Sequence, residues 1–233
     1  MEKAEFDKFA DEYLELHAAN VEVFGEGPAY FAEYKVKDVA MDLENVRDVG
    51  SILDFGGGIG TSAPYLRHHF PEAAITCLDV SDNSLEIARE RYGDMAEFVS
   101  FDGASIPFDS DTFDVAFAAC VFHHIKPASH AALFRELERV IGPGGHLFVF
   151  EHNPFNPLTR HAVDTCPFDE NAVLISGRRM CGALLEAGFH DVRLRYRLFI
   201  PRLLSGLRFL ESYLTWLPLG AQYYVSGRKA GWM

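Results

Sequence analysis

The sequence predicts an α/β fold in which an open parallel sheet carries helices on both faces. Three observations point there. The stretch Ile52-Leu53-Asp54-Phe55-Gly56-Gly57-Gly58-Ile59-Gly60-Thr61 passes from a short apolar run into a glycine-rich turn and then into helical spacing. Strand-like and helix-like segments alternate along most of the chain beyond it. The length of 233 residues, 48% of them apolar, suits one such core and leaves little room for a second domain.

Taken in order, residues 5–20 place Phe6, Phe9, Tyr13 and Leu16 on one face at three- and four-residue steps, which predicts an amphipathic helix. A second helix is expected over Tyr30–Leu43, after Gly25-Glu26-Gly27-Pro28. Strand one is Ser51–Asp54, and its helix runs over about Ser62–His69. Strand two, Ala74–Val80, leads to a helix capped by Ser81 or Asp82 and running through Arg91. Strand three covers Ala96–Phe101 and strand four Phe113–Val121. A helix over His130–Ile141 is closed by Gly142-Pro143-Gly144-Gly145, and strand five is His146–Glu151. Residues 152–175, rich in Asn, Pro and His, read as a long irregular stretch. Ser176 caps a helix to Ala187, strand six is Val192–Phe199 and strand seven Gln222–Gly227. Between the last two, Pro201–Pro218 is an apolar, arginine-bearing insertion, read as an amphipathic helix that covers the sheet or forms a dimer face, the alternative being contact of Arg202, Arg208 and Trp216 with a membrane surface or lipid-linked substrate. The whole chain, 1–233, reads as one domain, with an N-terminal helical portion over about 1–45 and the inserted cover over about 200–218.

Composition narrows the function. No run of about twenty uncharged apolar residues is present to span a membrane. The acidic start, Met1-Glu2-Lys3-Ala4-Glu5, lacks an apolar signal core, which predicts a cytoplasmic protein. Four cysteines without paired spacing fit reduced thiols, with no disulfide frame. A net charge of −13 argues against nucleic acid as a partner. From Ser176 onward, however, nine Lys/Arg stand against three Asp/Glu. That basic quarter is either a solvated surface or a patch that meets an anionic substrate.

The turn carries the chemistry. Its glycines allow a ligand close to the backbone and dihedrals that other residues resist. A dinucleotide fingerprint requires a glycine where Thr61 stands, and an acid, Asp54, precedes the turn where a phosphate would be repelled. Asp54-x-Gly56-x-Gly58-x-Gly60 resembles motif I of the class I S-adenosylmethionine (SAM) methyltransferases. Two further acids end successive strands, Asp79 about twenty residues on and Asp102 before Gly103-Ala104. The stretch Ile106-Pro107-Phe108 with Phe113-Asp114-Val115 resembles that family's lead-in to strand four. The resemblance covers roughly residues 50–150. It implies a Rossmann-like, seven-stranded, mostly parallel sheet with an antiparallel C-terminal strand, and SAM as cofactor. Asp54, Phe55 and the three alternating glycines would hold the methionine part, Asp79 with Val80 the ribose, and Asp102, Gly103 and Ala104 the adenine. The Phe-Asp-x-x-Ala-x-x-Tyr-like leader resembles the helix that lids the cofactor in small-molecule methyltransferases, where Tyr13 would reach the ligand.

The implied reaction is displacement at a methyl carbon on a sulfonium, helped mainly by alignment. A base for an alcohol or phenol acceptor is expected at the end of strand four, in His124 or, second, His123. His124 motivates a mild preference for oxygen methylation of a small-molecule, glycan-linked or lipid-linked acceptor. A metal site from His123, His124, Glu151 and His152 is not expected, because no pair has helical or zinc-finger spacing. Asn153-Pro154-Phe155 looks like the Asn-Pro-Pro-Tyr motif of amino-methyltransferases but follows strand five, where that motif belongs after strand four. The loop, with Arg160 and Cys166-Pro167-Phe168-Asp169, is expected to shape the acceptor pocket. Two rivals stay open: an NAD(P)-dependent oxidoreductase, which leaves Asp54, Thr61 and Asp102 unexplained, and a catalytically silent SAM-binding module.

Overall fold

The computed structural model describes residues 26–44 and 49–231. The helix expected over residues 5–20, with Tyr13, lies outside the described residues. At the centre of the fold, β1 (Ser51–Phe55) is a fully apolar-flanked strand paired in parallel with β2 (Ala74–Asp79) and β4 (Phe113–Ala119). Beyond β2 lies β3 (Glu97–Ser100), and beyond β4 lies β5 (Ile141–His152), both parallel. The chain then returns through β6 (His190–Arg197), and β7 (Gln222–Arg228) inserts antiparallel between β5 and β6. The resulting order is β3-β2-β1-β4-β5-β7-β6, the mostly parallel seven-stranded sheet that the sequence predicts.

Helices cover both faces. On one, α1 (Pro28–Leu43), α2 (Ala63–His69) and α3 (Asp82–Tyr92) bury Phe31, Val39, Leu66 and Leu85 against the sheet. On the other, α4 (Pro127–Val140) and α6 (Gly177–Glu186) bury Phe134, Leu137, Met180 and Leu184. Each of these apolar side chains is worth about 1.5–3 kcal/mol when fully buried. Ser81 caps α3 by accepting from the Ser84 N–H, and Ser176 caps α6 by accepting from that of Arg179.

Most boundaries fall within two residues of the expectation; four elements differ by more, each for a local reason. α4 starts at Pro127, because proline at the first helical position costs no hydrogen bond. His130 then turns back, its Nε2 lying 2.8 Å from the Ile125 carbonyl and 3.1 Å from that of Phe122. Gly142–Gly145 is no closing turn but the irregular start of β5, with a register shift opposite Phe113–Val115. A Cβ at Gly145 would lie 2.6 Å from the Asp114 carbonyl, so only glycine lets the strands approach there. Within the stretch expected to be irregular, α5 (Pro157–Thr165) is capped by Asn156, which accepts from the Thr159 N–H. The insertion is a 3-10 segment (Arg202–Leu210), non-helical at Leu204, followed by one turn, α7 (Glu211–Leu214). It does not bury an apolar face: Leu203, Tyr213 and Trp216 are 93%, 74% and 72% exposed. Its anchor is Glu211, which accepts the N–H groups of Phe199 and Ile200 at 3.1 and 2.8 Å.

α1 is bound to the C-terminal strands by polar contacts. Arg197 donates to both oxygens of Asp38 at 2.6 and 2.8 Å, Arg195 pairs with Asp42, and the Tyr34 hydroxyl donates to Gln222. Arg208 of the insertion pairs with Glu26 at 2.7 Å and lies 4.8 Å from the centre of the Tyr30 ring. Among the described residues no helix is long and apolar enough to cross a membrane.

Candidate functional site

The carboxyl ends of β1, β2 and β4 meet at the point where the strand order reverses, the usual ligand crevice of an open α/β sheet. After β1 the chain turns sharply, with the N–H groups of Gly56 and Gly57 donating to the Leu78 carbonyl at 2.7 and 3.2 Å. Gly56, Gly58 and Gly60 all have positive φ, at 73°, 52° and 76°. Their surroundings differ. A Cβ at Gly56 would sit 2.5 Å from a Val121 methyl, and one at Gly60 would press on Tyr92, Ala88 and Phe98 at 3.0–3.2 Å. A Cβ at Gly58 would meet nothing within 4 Å. Gly56 and Gly60 are thus packing glycines, while Gly58 borders open space.

This contrast yields a first expected result. Gly56→Ala should lose about 2–5 kcal/mol of stability, from overpacking and the left-handed backbone together. Gly58→Ala should lose only about 1–2 kcal/mol, the backbone part. Urea unfolding of both variants measures the difference, and equal losses would mean that Gly58 is also enclosed.

The acids after β1, β2 and β3 are placed as the sequence suggests, but differently held. Asp54 is 1% exposed, with the Cys77 thiol 3.8 Å from Oδ2. Burial, reinforced by the charge of Asp79, pushes its carboxyl up to about 7. Asp79 accepts the Gly58 N–H on Oδ2 and the Ser81 N–H on Oδ1, both at 2.9 Å, so it stiffens the turn it borders. Asp102 is exposed, and its Oδ1 accepts the N–H groups of Ala104 and Ser105 at 2.8 Å, shaping a turn in which Gly103 has φ 79°. Those two hydrogen bonds hold its carboxyl below the usual range. Phe55 and Val80 do not present side chains to the crevice. The Phe55 ring packs on Phe101 and Phe122, and Val80 lies beneath Gly103, both inside the core. What they can offer a ligand is their backbone.

After β4, Cys120 has φ 59°, a sparsely populated conformation for a residue with a side chain. It carries the chain into a 3-10 turn, Phe122–His124, held by Phe122 stacked on Phe134 at 4.2 Å. This puts both histidines at the carboxyl edge of the sheet. His123 is fully buried, its Nδ1 2.6 Å from Glu151 Oε2 at the end of β5, while Glu151 Oε1 accepts the Phe122 N–H at 2.7 Å. Burial opposes a charge on His123, but Glu151 and Asp169 outweigh it and hold the imidazole up at about 10. Burial, and next the charge of His123, drive His124 down to about 3. In this arrangement His123 keeps its proton and His124 is a very weak base, so neither imidazole is poised to accept a proton near neutrality.

Beside them lies a buried polar cluster that sequence reading missed. The Lys35 ammonium of α1 donates to the Cys120 thiol at 3.3 Å, and the Gln222 amide lies 3.9 Å from the same sulfur and 3.4 Å from His152. Burial raises the Cys120 thiol, yet Lys35 and His152 prevail and lower it to about 6. The only signal in the sequence was the place of Cys120, directly after strand four. Lys35 and Gln222 carried none. Asn153, in the Asn-Pro-Phe lookalike, is fully buried and serves the backbone: its Nδ2 donates to the carbonyls of Gly220 and Pro218 at 2.7 and 3.2 Å, and Oδ1 accepts the Phe155 N–H. It holds two loops together.

The site thus comprises a glycine turn with one open face, acids at the carboxyl ends of three neighbouring strands and a buried polar cluster beyond β4. Residues 53–149 match a family model described as a methyltransferase domain. Over 139 residues the chain is 31% identical to the ubiquinone/menaquinone biosynthesis C-methyltransferase UbiE of Hahella chejuensis, covering 57% of this chain and 55% of that protein. The corresponding protein of Pseudomonas putida is 30% identical over the same length, with 57% and 54% covered. The chain therefore spans about half the length of the curated relatives it matches.

Among solved structures, a SAM-dependent methyltransferase of Thermotoga maritima superposes with a TM-score of 0.68 at 19% identity, covering 97% of this chain and 99% of that one. Phosphoethanolamine N-methyltransferase 2 of Haemonchus contortus, in complex with SAM, gives 0.68 at 17% identity, with 97% and 60% covered. At these identities the likeness is one of fold. The matched segment and the relatives make residues 53–149 similar to a methyltransferase domain, and the fold is the one shared by the solved SAM-dependent methyltransferases.

Proposed function

We propose that the protein transfers a methyl group from SAM to a small-molecule acceptor. The observation that carries this reading is the open space at Gly58, whose N–H is held by the carboxylate of Asp79, with the buried acid Asp54 against the neighbouring Gly57. These residues fit the cofactor. Asp54 with Gly56, Gly58 and Gly60 would hold its cationic amino-acid end, Asp79 its ribose hydroxyls, and Asp102 with the backbone of Gly103-Ala104 its adenine. When bound, SAM supplies a methyl carbon on a positively charged sulfur. Tyr34, Lys35, Cys120, His152 and Gln222, which contact one another beyond β4, would orient the acceptor and exclude water. Tyr13 belongs to the same proposal as a contact from residues ahead of α1.

The preference for an oxygen acceptor finds no support in the site. His124 was its motive, and this geometry leaves it a poor base; the curated relatives are named C-methyltransferases. A small acceptor, with no nucleic acid, fits the net charge of −13. A cytosolic setting fits the free thiols of Cys77, Cys120, Cys166 and Cys181.

Calorimetric titration with S-adenosylhomocysteine, with NADH as control, tests the reading. Micromolar binding of the first alone supports it, and binding of NADH alone overturns it in favour of the oxidoreductase. The pH dependence adds a second check. Asp54 carries a proton below about 7, and a bound ammonium favours its carboxylate. Binding must then release that proton, so affinity is full above about pH 7 and falls about tenfold per unit below it. Flat affinity between pH 5.5 and 7, at about equal strength, would remove Asp54 from the contact.

A further inference from the structure

The expectation of no metal site rested on spacing along the chain, and the fold supplies a ligand from elsewhere. The 3-10 segment Pro167–Asp169 brings the Asp169 carboxylate over the histidine pair, and the Val173 N–H donating to the His123 carbonyl at 2.8 Å fixes that loop to the turn. Asp169 Oδ1 then lies 3.5 Å from His123 Nε2 and 3.4 Å from His124 Nε2. All the offered ligand atoms lie within 4.8 Å of one another.

These separations are informative. A charge-assisted N–H···O⁻ bond closes to about 2.7–2.9 Å, and the His123–Glu151 pair beside them, at 2.6 Å, does close. The two Asp169 distances stay longer than that. They match the edges of a tetrahedron whose centre binds nitrogen and oxygen at about 2.0–2.2 Å, which places neighbouring ligands roughly 3.3–3.5 Å apart. Glu151 occupies the second ring nitrogen of His123, the arrangement that orients a metal-bound imidazole and raises its basicity. The side chains are nearly enclosed, with 1%, 10% and 13% of His123, His124 and Asp169 exposed.

We propose that His123, His124 and Asp169 form a binding site for one divalent ion of the zinc class, with Glu151 as the positioning carboxylate behind His123. Three protein ligands leave the fourth position of a tetrahedral ion to water or to a bound molecule. The alternative is a proton in the ion's place, with His123 shared between two carboxylates. The inference goes beyond methyl transfer and does not depend on it.

The test uses the full chain without a polyhistidine tag, stripped by a chelator and titrated with zinc in a calorimeter, with cobalt(II) as a coloured probe. One ion per chain is expected, with the intense visible absorption of tetrahedral cobalt. Asp169→Asn and His124→Asn should each weaken zinc binding by about 100-fold or more, and Glu151→Gln by about 10–100-fold. Circular dichroism checks that each variant is folded. Should a variant fail to fold, the cobalt spectrum of the wild-type chain decides. No stoichiometric uptake, an octahedral cobalt spectrum, or equal affinity in a folded Asp169→Asn variant would overturn the site. Titrating the same samples with S-adenosylhomocysteine keeps the two readings apart, because either ligand can bind when the other does not.

Discussion

Asp79→Ala is expected to weaken S-adenosylhomocysteine binding by about 10²–10⁴-fold, the largest single loss at the cofactor site. A carboxylate that accepts two ribose hydroxyls makes two charge-assisted bonds of about 1.5–3 kcal/mol each. The structure adds a second reason. Asp79 already accepts the Gly58 N–H at 2.9 Å, so its removal also loosens the turn that the ligand must approach. Asp79→Asn retains one acceptor and the shape of the side chain, and should fall between the alanine variant and wild type. Asp102→Ala should cost less, about tenfold, because that side chain is exposed and acts mainly on its own turn. Calorimetry on the three variants gives the order. A loss of threefold or less for Asp79→Ala, on the same scale, would mean that the acid ending β2 is a turn residue and no more.

Glu151→Ala is expected to destabilise the chelator-treated protein by about 3–5 kcal/mol, the cost of leaving a buried charge without its partner. Two groups lose their acceptor at once: the His123 imidazole at 2.6 Å and the Phe122 N–H at 2.7 Å. A rise in the unfolded population at moderate urea measures it. Introducing His123→Leu into the Glu151→Ala chain should recover part of the loss, since an apolar pair carries no stranded charge. A loss below about 1 kcal/mol would show that Asp169 alone satisfies His123.

The central part of the fold was readable because its signals are local. Strand one, the glycines after it, and the acids ending strands two and three each declare themselves within ten residues, and their positions in the structure follow. Seven strands and a last antiparallel one also emerge as the resemblance implies. What was hidden depends on contacts across the chain. Lys35 sits on the buried side of an ordinary amphipathic helix, and nothing near it in sequence marks its approach to Cys120. Asp169 looks like one more acid in a proline-rich loop until the fold sets it beside His123 and His124. The helix Pro157–Thr165 was legible in principle, since Asn156-Pro157 is a cap followed by a first-turn proline, but the surrounding Asn and Pro residues masked it. The insertion misled because its apolar spacing is helical, whereas its backbone breaks at Leu204 and its side chains face outward.

The pairing of α1 with the last strands has a consequence for how the protein is made. Tyr34 of α1 donates to Gln222, and Tyr224 and Arg195 bind Asp42 from the opposite end of the chain. Strands β1 to β5 are all synthesised before any of these partners exists. A nascent chain that has emerged through His152 therefore holds Asp54, Asp79 and Asp102 while Gln222 is still to come. Gln222 joins the cluster around Cys120 only with β7, the strand set between β5 and β6, so a chain ending before Gln222 lacks that amide.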